Sequence, residues 1–354
     1  KTGWAEPVGP QTGPGSLADN RVMALTVTED GTLWAGTRAG GLGRYDDDSG
    51  RWRSYRHDPE DQESLSFDGV TSLLVDDAAN LWVGTYGGGL GRYVPEIDGF
   101  EHLRTDPDDA TSLCSDRLLA LYQDRQGSLW VGTHGDGLCR YDAQTGKFER
   151  FRHDPDDDTS ISSDSAWAIT EDAAGSLWIG TADGGLSVWR QADREQGILH
   201  FQRIGVAEGL PSNVVYGVVS EPSGRIWASG NRGLASIELG GGGIRRFGIS
   251  DGLQSNEFNL GAAFRSADGR LFFGGVNGFN AFYPRDVQAN TYAPPVALTR
   301  FLLNNQPTNP DSLKGEDGLI NFRYTDRLIT FDYAALDFTD SRGMTYRHRL
   351  DGFE

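Results

Sequence analysis

The sequence predicts an all-β chain: a β-propeller of six visible four-stranded blades (six or seven in the full ring), followed by the start of a β-sandwich. Three observations carry that prediction. First, the stretch Gly31-Thr32-Leu33-Trp34-Ala35-Gly36-Thr37 returns down the chain, with its aromatic residue at 34, 82, 130, 178, 227 and 272, in steps of 48, 48, 48, 49 and 45. A fixed period of this size marks an array of like supersecondary units. Second, the chain holds 48 Gly among 354 residues, with aromatic residues spread between them, as a turn-rich β protein does. Third, the repeat stops near Pro294-Pro295, where strands of another kind begin.

The second copy shows one blade. Val70 to Val75 forms a first strand, Asp76 to Asn80 a turn, and Leu81 to Thr85 a second strand. A tight Gly turn, Tyr86 to Gly89, leads to a third strand beginning Leu90-Gly91-Arg92-Tyr93, and Phe100-Glu101-His102-Leu103 is the fourth. The turn ahead of the aromatic residue holds Gly31, Gly127, Gly175, Gly224 and Gly269, and Asn80 is expected to replace Gly in the second copy because Asn tolerates the left-handed conformation. Blades stack face to face, so the middle strand Leu-Trp-Val-Gly-Thr is apolar on both sides. Its Trp fills the gap between blades and the Gly two residues on admits the next sheet. Burying such a Trp removes about 150–250 Å² from water, worth about 4–6 kcal/mol as an upper bound. The outermost strands, Trp52 to Arg56 and Phe148 to Arg152, carry the charge an exposed edge requires. A β-solenoid would need shorter periods.

In chain order, residues 1–20 do not make a whole blade. Trp4 reads as part of the last strand of a preceding blade, and 13–20 as the loop that follows. Blades start near 21, 69, 117, 165, 213 and 260, giving a propeller over 1–290. The sixth, ending at Phe282-Tyr283-Pro284, has no obvious fourth strand, and the N-terminal segment is the natural donor. Six blades complete the ring, or a seventh lies upstream of Lys1. Val296 to Leu303, Gly318 to Phe322 and Leu328 to Phe338 read as strands of the second domain, 291–354, too few to bury a sandwich core. The chain is therefore read as cut inside that domain.

Net charge is −19, so a phosphate-binding surface and a nucleic-acid partner are disfavoured. No apolar run reaches the roughly 20 residues of a membrane span, and no signal peptide is present. Cys114 and Cys139 lie in one repeat without metal-ligand spacing. A disulfide between them is allowed but not implied, which leaves the compartment open.

Gly-x-Leu-Trp-Val-Gly-Thr, followed by Gly-Gly-Leu-x-Arg-Tyr-Asp and Phe-x-x-Phe-Arg-His-Asp-Pro, resembles the two-component regulator propeller repeat (Reg_prop). Asp251 to Asn259 and Phe273 to Phe282 resemble the closing blade of such sensors. Phe331 to Phe338, with Tyr346 to Phe353, is similar to the Ig-like Y_Y_Y domain that follows them. The resemblance implies the extracytoplasmic sensor region of a histidine kinase, hybrid two-component protein or diguanylate cyclase, on the periplasmic or extracellular side of a bacterial inner membrane. It implies a homodimer in the full-length protein, with a membrane helix and the output domain further on, so kinase or cyclase activity would lie outside this sequence.

In a four-stranded meander the turn between strands two and three lies on the same face as the link to the next blade. The residue four after each Trp therefore occupies an equivalent place on one rim: Arg38, Tyr86, His134, Ala182 and Asn231, with Asp183, Arg232 and Asn277 beside them. Unlike side chains on repeated positions are what a recognition surface needs, and they are also what ordinary solvent-facing turns contain. Tyr86 suits stacking on a sugar ring and Arg38 pairing with a carboxylate. The acidic links at 58–61, 106–109 and 154–158 read as Asp-Pro turns. Ca²⁺ takes six to eight oxygens and their spacing matches no loop signature, so no cofactor is assigned. No nucleophile elbow or zinc-type His pair is present. The expected function is sensing of a carbohydrate or other small ligand without catalysis. The alternatives are a streptogramin-lyase-like or polysaccharide-lyase propeller, for which His134 is the convincing rim base, and a scaffold that docks another protein.

Overall fold

The computed structural model describes residues 15–238, 243–287, 295–315 and 318–335. The chain divides into two compact units, Lys1–Asp286 and Val287–Glu354. Trp4, and with it the expected closing strand, lies outside the described residues.

The first unit is a succession of antiparallel meanders, each strand paired to its neighbour in sequence. Blade 1 is β1 (Val22–Val27), β2 (Leu33–Thr37), β3 (Leu42–Asp46) and β4 (Arg51–Tyr55). Blade 2 is β5 (Val70–Val75), β6 (Leu81–Thr85), β7 (Leu90–Val94) and β8 (Gly99–Leu103). Blade 3 is β9 (Leu118–Gln123), β10 (Leu129–Thr133), β11 (Leu138–Asp142) and β12 (Lys147–Phe151). Blade 4 is β13 (Ala166–Glu171), β14 (Leu177–Thr181), β15 (Leu186–Trp189) and β16 (Phe201–Ile204), with the helix α1 (Gln191–Gln196) inserted before its last strand. Blade 5 is β17 (Val215–Ser220), β18 (Ile226–Gly230), β19 (Gly233–Glu238) and β20 (Gly243–Phe247). Blade 6 has three strands, β21 (Phe258–Arg265), β22 (Leu271–Gly275) and β23 (Gly278–Phe282).

The indoles sit where the period placed them, each packed on the following blade. Trp34 joins Val70, Leu81 and Val83 of blade 2, and Trp82 joins Leu118, Leu129 and Val131 of blade 3. Trp130 joins Ile169, Leu177 and Ile179 of blade 4, and Trp178 joins Val215, Ile226 and Ala228 of blade 5. The glycine two residues on is required by this closeness. A Cβ at Gly36 would stand 2.5 Å from Val70 Cγ1, and one at Gly132 would stand 2.5 Å from the Ala166 carbonyl oxygen, both in the next blade. Consecutive innermost strands pack side by side from β1 through β5, β9, β13 and β17 to β21. No comparable packing brings β21 against β1, and the end strands are solvent-facing, with Leu25 62% and Phe264 63% exposed. Among the described residues the six blades thus form an arc whose end strands do not pack on one another.

The turn of blade 2 departs from expectation. The residue in the left-handed region is Ala79 (φ 62°), at the place of Gly31 (φ 86°) and Gly127 (φ 83°), and not Asn80. The Asn80 side chain instead donates to both carboxylate oxygens of Asp76, at 3.1 and 2.9 Å. Asn was expected there for its conformational tolerance, yet its local hydrogen bonding is what the structure uses.

Cys114 and Cys139 form a disulfide inside blade 3, tying the segment before β9 to β11 with Cα atoms 6.3 Å apart.

The second unit is an antiparallel sheet of β24 (Val296–Leu303), β25 (Gln306–Pro307) and β26 (Ile329–Ala335), with β24 in the centre. Asn304 (φ 50°) and Asn305 (φ 64°) make the two-residue turn between β24 and β25, as a hairpin of opposite-hand turn requires. Gly318 to Phe322 is not a strand. It is reduced to one bridge, Lys314 to Ile320, because Gly318 (φ 77°) turns the chain back and its N–H donates to the Gly315 carbonyl. Leu336 to Phe338 lies outside the described residues.

Candidate rim site on the propeller

The rim residues are positioned by a short local device. Thr85, the last residue of β6, donates its hydroxyl to the Gly89 carbonyl (2.9 Å) and accepts from the Gly88 N–H (3.0 Å). Thr37, Thr133 and Thr181 do the same in their blades. A buried hydroxyl that both donates and accepts fixes the turn, and so fixes the direction of the next residue. That residue is Arg38, Tyr86, His134 or Ala182. Its N–H donates to the carbonyl of the residue just before, or one before, the innermost strand of its own blade: Arg21, Gly69, Arg117 and Ser165.

The rim then steps from blade to blade. Tyr86 bridges to Arg117 and His134 to Ser165, each in the following blade. This brings the Tyr86 and His134 rings together, with centroids 5.7 Å apart and planes at 53°. Tyr86 remains 40% exposed, so a flat apolar face is offered to solvent beside an imidazole. Phe67, also solvent-facing, stands against the Tyr86–Gly87 turn, where a Cβ on Gly87 would meet its ring at 3.3 Å.

Charged residues that the repeat argument did not single out complete this patch. Arg117 pairs with Asp136 at 3.8 Å, Arg152 pairs with Asp136 at 3.2 Å, and Arg152 reaches Asp164 at 3.9 Å. Asp164 also accepts the His153 N–H at 2.8 Å. Arg117 carried a signal in the sequence, since it occupies the same repeat position as Arg21, Gly69 and Ser165 and therefore also varies on a fixed scaffold place. The His134 ring makes no hydrogen bond among the described residues, and the nearby Asp136 is engaged by two arginines. Among the described residues no carboxylate bonds the His134 ring, the partner that the lyase alternative would use.

The remaining expected residues are not drawn into this patch. Arg38 and Arg232 are exposed and form no ion pair among the described residues, and Asp183 is an exposed turn residue. Asn231 lies with Arg232 in the two-residue turn between β18 and β19, its Oδ1 buried without a partner. The Asn277 N–H donates to Gln254 Oε1 at 2.8 Å, which ties the turn between β22 and β23 to the segment before β21. In each acidic link the leading carboxylate bonds nearby backbone. Asp58, Asp106 and Asp154 each accept the N–H two residues on, at 3.0, 2.9 and 2.9 Å.

A second regularity lies at the other end of the sheets. Asp76, Asp124 and Asp172, each six residues before a Trp, accept that indole N–H at 2.8 Å, and Glu221 accepts from Trp227 at 2.7 Å. For Asp76 burial works against the ionised form, yet the bonds from Trp82 and Asn80 hold its carboxyl below the ordinary value. In blade 1 the position is Thr28, and the buried Trp34 indole N–H has no acceptor among the described residues.

The family model described as two component regulator propeller matches residues 16–39, 112–135 and 160–183. The chain is similar to that family over these three segments. It is 26% identical over 165 residues to Histidine kinase P4 of Formosa agariphila, a match covering 44% of this chain and 12% of that protein. The chain thus spans a small part of that relative. Among solved structures, the extracellular domain of a putative hybrid two component system from B. thetaiotaomicron is similar at 20% identity and TM-score 0.48, over 88% of this chain and 60% of that one. Virginiamycin B lyase from Staphylococcus aureus is similar at 14% identity and TM-score 0.53, over 78% of this chain and 88% of the lyase, a likeness of fold.

Proposed function

We propose that this chain is the extracytoplasmic ligand-sensing part of a membrane signal-transduction protein, and that the rim patch around Tyr86 and His134 reads a small ligand, a carbohydrate by preference. The observation that carries the reading is the apposition of these rings from adjacent blades, on equivalent scaffold positions, with cationic Arg117 alongside. A half-exposed aromatic face next to a polar donor and a charged network suits a polyol, whose C–H face stacks while its hydroxyls donate and accept. Arg38 and the exposed turns holding Asp183, Asn231, Arg232 and Asn277 extend the same rim.

The regulator repeats and the kinase relative support the signalling class. A disulfide between two buried cysteines supports an oxidising compartment, on the periplasmic or extracellular side of a bacterial inner membrane. The second unit is read as the beginning of a Y_Y_Y Ig-like domain relaying the signal, in a homodimer, to an output domain. That relay requires the ligand to favour one arrangement over another, because affinity alone shifts no equilibrium.

The test is a thermal-shift screen of the protein against defined oligosaccharides, with the glycan recovered and analysed afterwards. A raised melting temperature with intact glycan is expected. For the glycan that binds, Tyr86→Ala should weaken affinity about tenfold, the loss of one stacked ring. Chain shortening or new unsaturation in the glycan would instead establish the lyase alternative. Unchanged affinity in Tyr86→Ala would move the site off this rim.

A further inference from the structure

The link from β4 to β5 carries residues that set the rim. Its Gly69 carbonyl accepts the Tyr86 N–H at 2.8 Å, and its Phe67 stands against the Tyr86–Gly87 turn. Three bonds from β8 and the residue after it hold this link. The Phe100 N–H donates to the Glu63 carbonyl at 2.8 Å, His102 Nε2 to the Ser64 carbonyl at 2.9 Å, and Arg104 to the Ser66 carbonyl at 3.4 Å. The first bond recurs in the sister blades, from Phe148 to Thr111 at 2.7 Å and from Phe201 to Thr159 at 2.8 Å. The second changes its donor. Strand register puts Arg150, Arg203 and Arg246 at the place of His102 in blades 3, 4 and 5. They donate to the carbonyls of Ser112 at 3.1 Å, Ser160 at 3.2 Å and Gly209 at 2.6 Å. A guanidinium keeps its proton throughout the range in which proteins fold, whereas an imidazole changes charge near neutral pH. Of these four blades, blade 2 is the one whose link hangs on a titrating group.

The Ser64 carbonyl can only accept, so Nε2 of His102 carries the proton and Nδ1 bears the lone pair of the neutral ring. Nδ1 is buried, with no partner among the described residues. A second proton placed there would be a buried donor without an acceptor. Burial foremost, with the Arg104 charge adding to it and the bond to Ser64 opposing, holds His102 below the ordinary 6.5. Beside the ring, between the link and β8, lies a cavity of about 630 Å³. Its titratable and charged lining is His57, Asp58 and Asp61 from the link, with Glu101 and Arg104 from the other wall. β7 brings no charge, because Gly91 stands opposite His102 and a Cβ on it would lie 3.8 Å from Nδ1. His57 is engaged with the Leu65 carbonyl through its own Nδ1 at 2.9 Å. An imidazolium is therefore poorly served in its bonded place, and better served turned into the cavity, where water and carboxylates meet it.

We propose that His102 is a pH-sensitive latch on the link between blades 1 and 2, closed as the neutral imidazole on the Ser64 carbonyl and released when the ring is protonated, and that release loosens the rim at Tyr86. Its consequence for ligand binding rests on the rim reading above; the latch itself does not. The bonded ring takes up a proton less readily than the freed one. The latch is thus at full strength above about 6.5 and weakens as pH falls below it. At about pH 5.5 a freed imidazole is roughly ten times more often protonated than neutral, so the open form gains up to about tenfold.

The experiment is amide hydrogen exchange of the ¹⁵N-labelled chain by NMR, without ligand, at about pH 7.5 and about pH 5.5. Each amide is read as protection relative to its intrinsic exchange at that pH. The Phe100 and Tyr86 amides are expected to lose about five- to tenfold in protection at the lower pH. The Phe201 amide, beside Arg203, is expected to hold. His102→Arg, which installs the residue of the sister blades, should remove the loss. The His102 ring signal of the parent gives a second reading, which needs no variant: it should titrate below 6.5. An equal loss in His102→Arg, no loss in the parent, or a ring midpoint at or above 6.5 would overturn the latch. A loss at Phe100 with none at Tyr86 would overturn its hold on the rim. Because no glycan is present, failure here leaves the carbohydrate reading standing, and failure of the glycan screen leaves the latch standing.

Discussion

The seam between blades 3 and 4 and the seam between blades 1 and 2 are built on the same strands, with an aromatic pair (Trp130 and Trp189, Trp34 and Tyr93) and an arginine of the third strand (Arg140, Arg44) in the same places. In one, Asp124 and Glu171 are fully buried and share a buried Arg194. In the other, Thr28 stands where the aspartate would be and the space above the rings is open. The difference teaches that a propeller blade specifies its seam only up to a point. The rings and strands come with the repeat, whereas the polar occupant comes from a loop whose length varies freely. It also shows two ways of capping one turn. Asp76, Asp124 and Asp172 accept both turn N–H groups and the indole N–H, whereas in blade 1 Thr28 bonds Asp30, which accepts the Thr32 N–H. Blade 6 repeats the second scheme with Ser266 and Asp268, but its aromatic residue is Phe272, which has no N–H to satisfy. Blade 1 alone joins the second scheme to a Trp, and that combination leaves the donor unmet.

Breaking the sealed seam should have the largest effect. Arg194→Ala leaves two buried carboxylates without their cation and is expected to cost about 3–5 kcal/mol. Urea melts would read it, and a cost below about 1 kcal/mol would mean that water enters the seam and replaces the guanidinium. The open seam can be sharpened in the other direction. Thr28→Asp restores the acceptor for Trp34 and should stabilise the chain by about 1 kcal/mol, since a bond to a charged group is gained while Asp30 stands nearby. Loss of stability in that variant would show that the indole N–H is already satisfied. The smallest effect belongs to the turn lining the same seam. Ala79→Gly relieves a left-handed alanine and should gain about 0.5–1 kcal/mol, after the greater freedom of glycine in the unfolded chain is subtracted. An unchanged midpoint of unfolding would argue that the strain is relaxed by the neighbouring Asp76 bonds.

Much of the first unit was legible in the residues. The spacing of the Trp residues gave the blades, and Gly36 and Gly132 marked the close approach of the next sheet. The role of the acidic residue six before each Trp was equally visible, as the series Asp76, Asp124, Asp172 and Glu221 shows, but the repeat was read from its aromatic and glycine positions only. The turn of blade 2 is not legible from its residues, because Asn80 and Ala79 are adjacent and only backbone angles tell which one bears the left-handed conformation. The rim was legible as a row of positions, not as a site. That Tyr86 meets His134 depends on side chains 48 positions apart.

What the sequence determined by itself is what near neighbours decide: strand, turn, the threonine that closes each hairpin, and the indole that must leave water. These follow from hydrogen bonds and apolar runs within a few residues, so a repeated motif repeats them. The tertiary structure alone decided which seam is closed and which turn side chains touch. The Arg194–Asp124 bond spans 70 residues, and the path of a loop across a neighbouring blade depends on surfaces that exist only after both blades have formed.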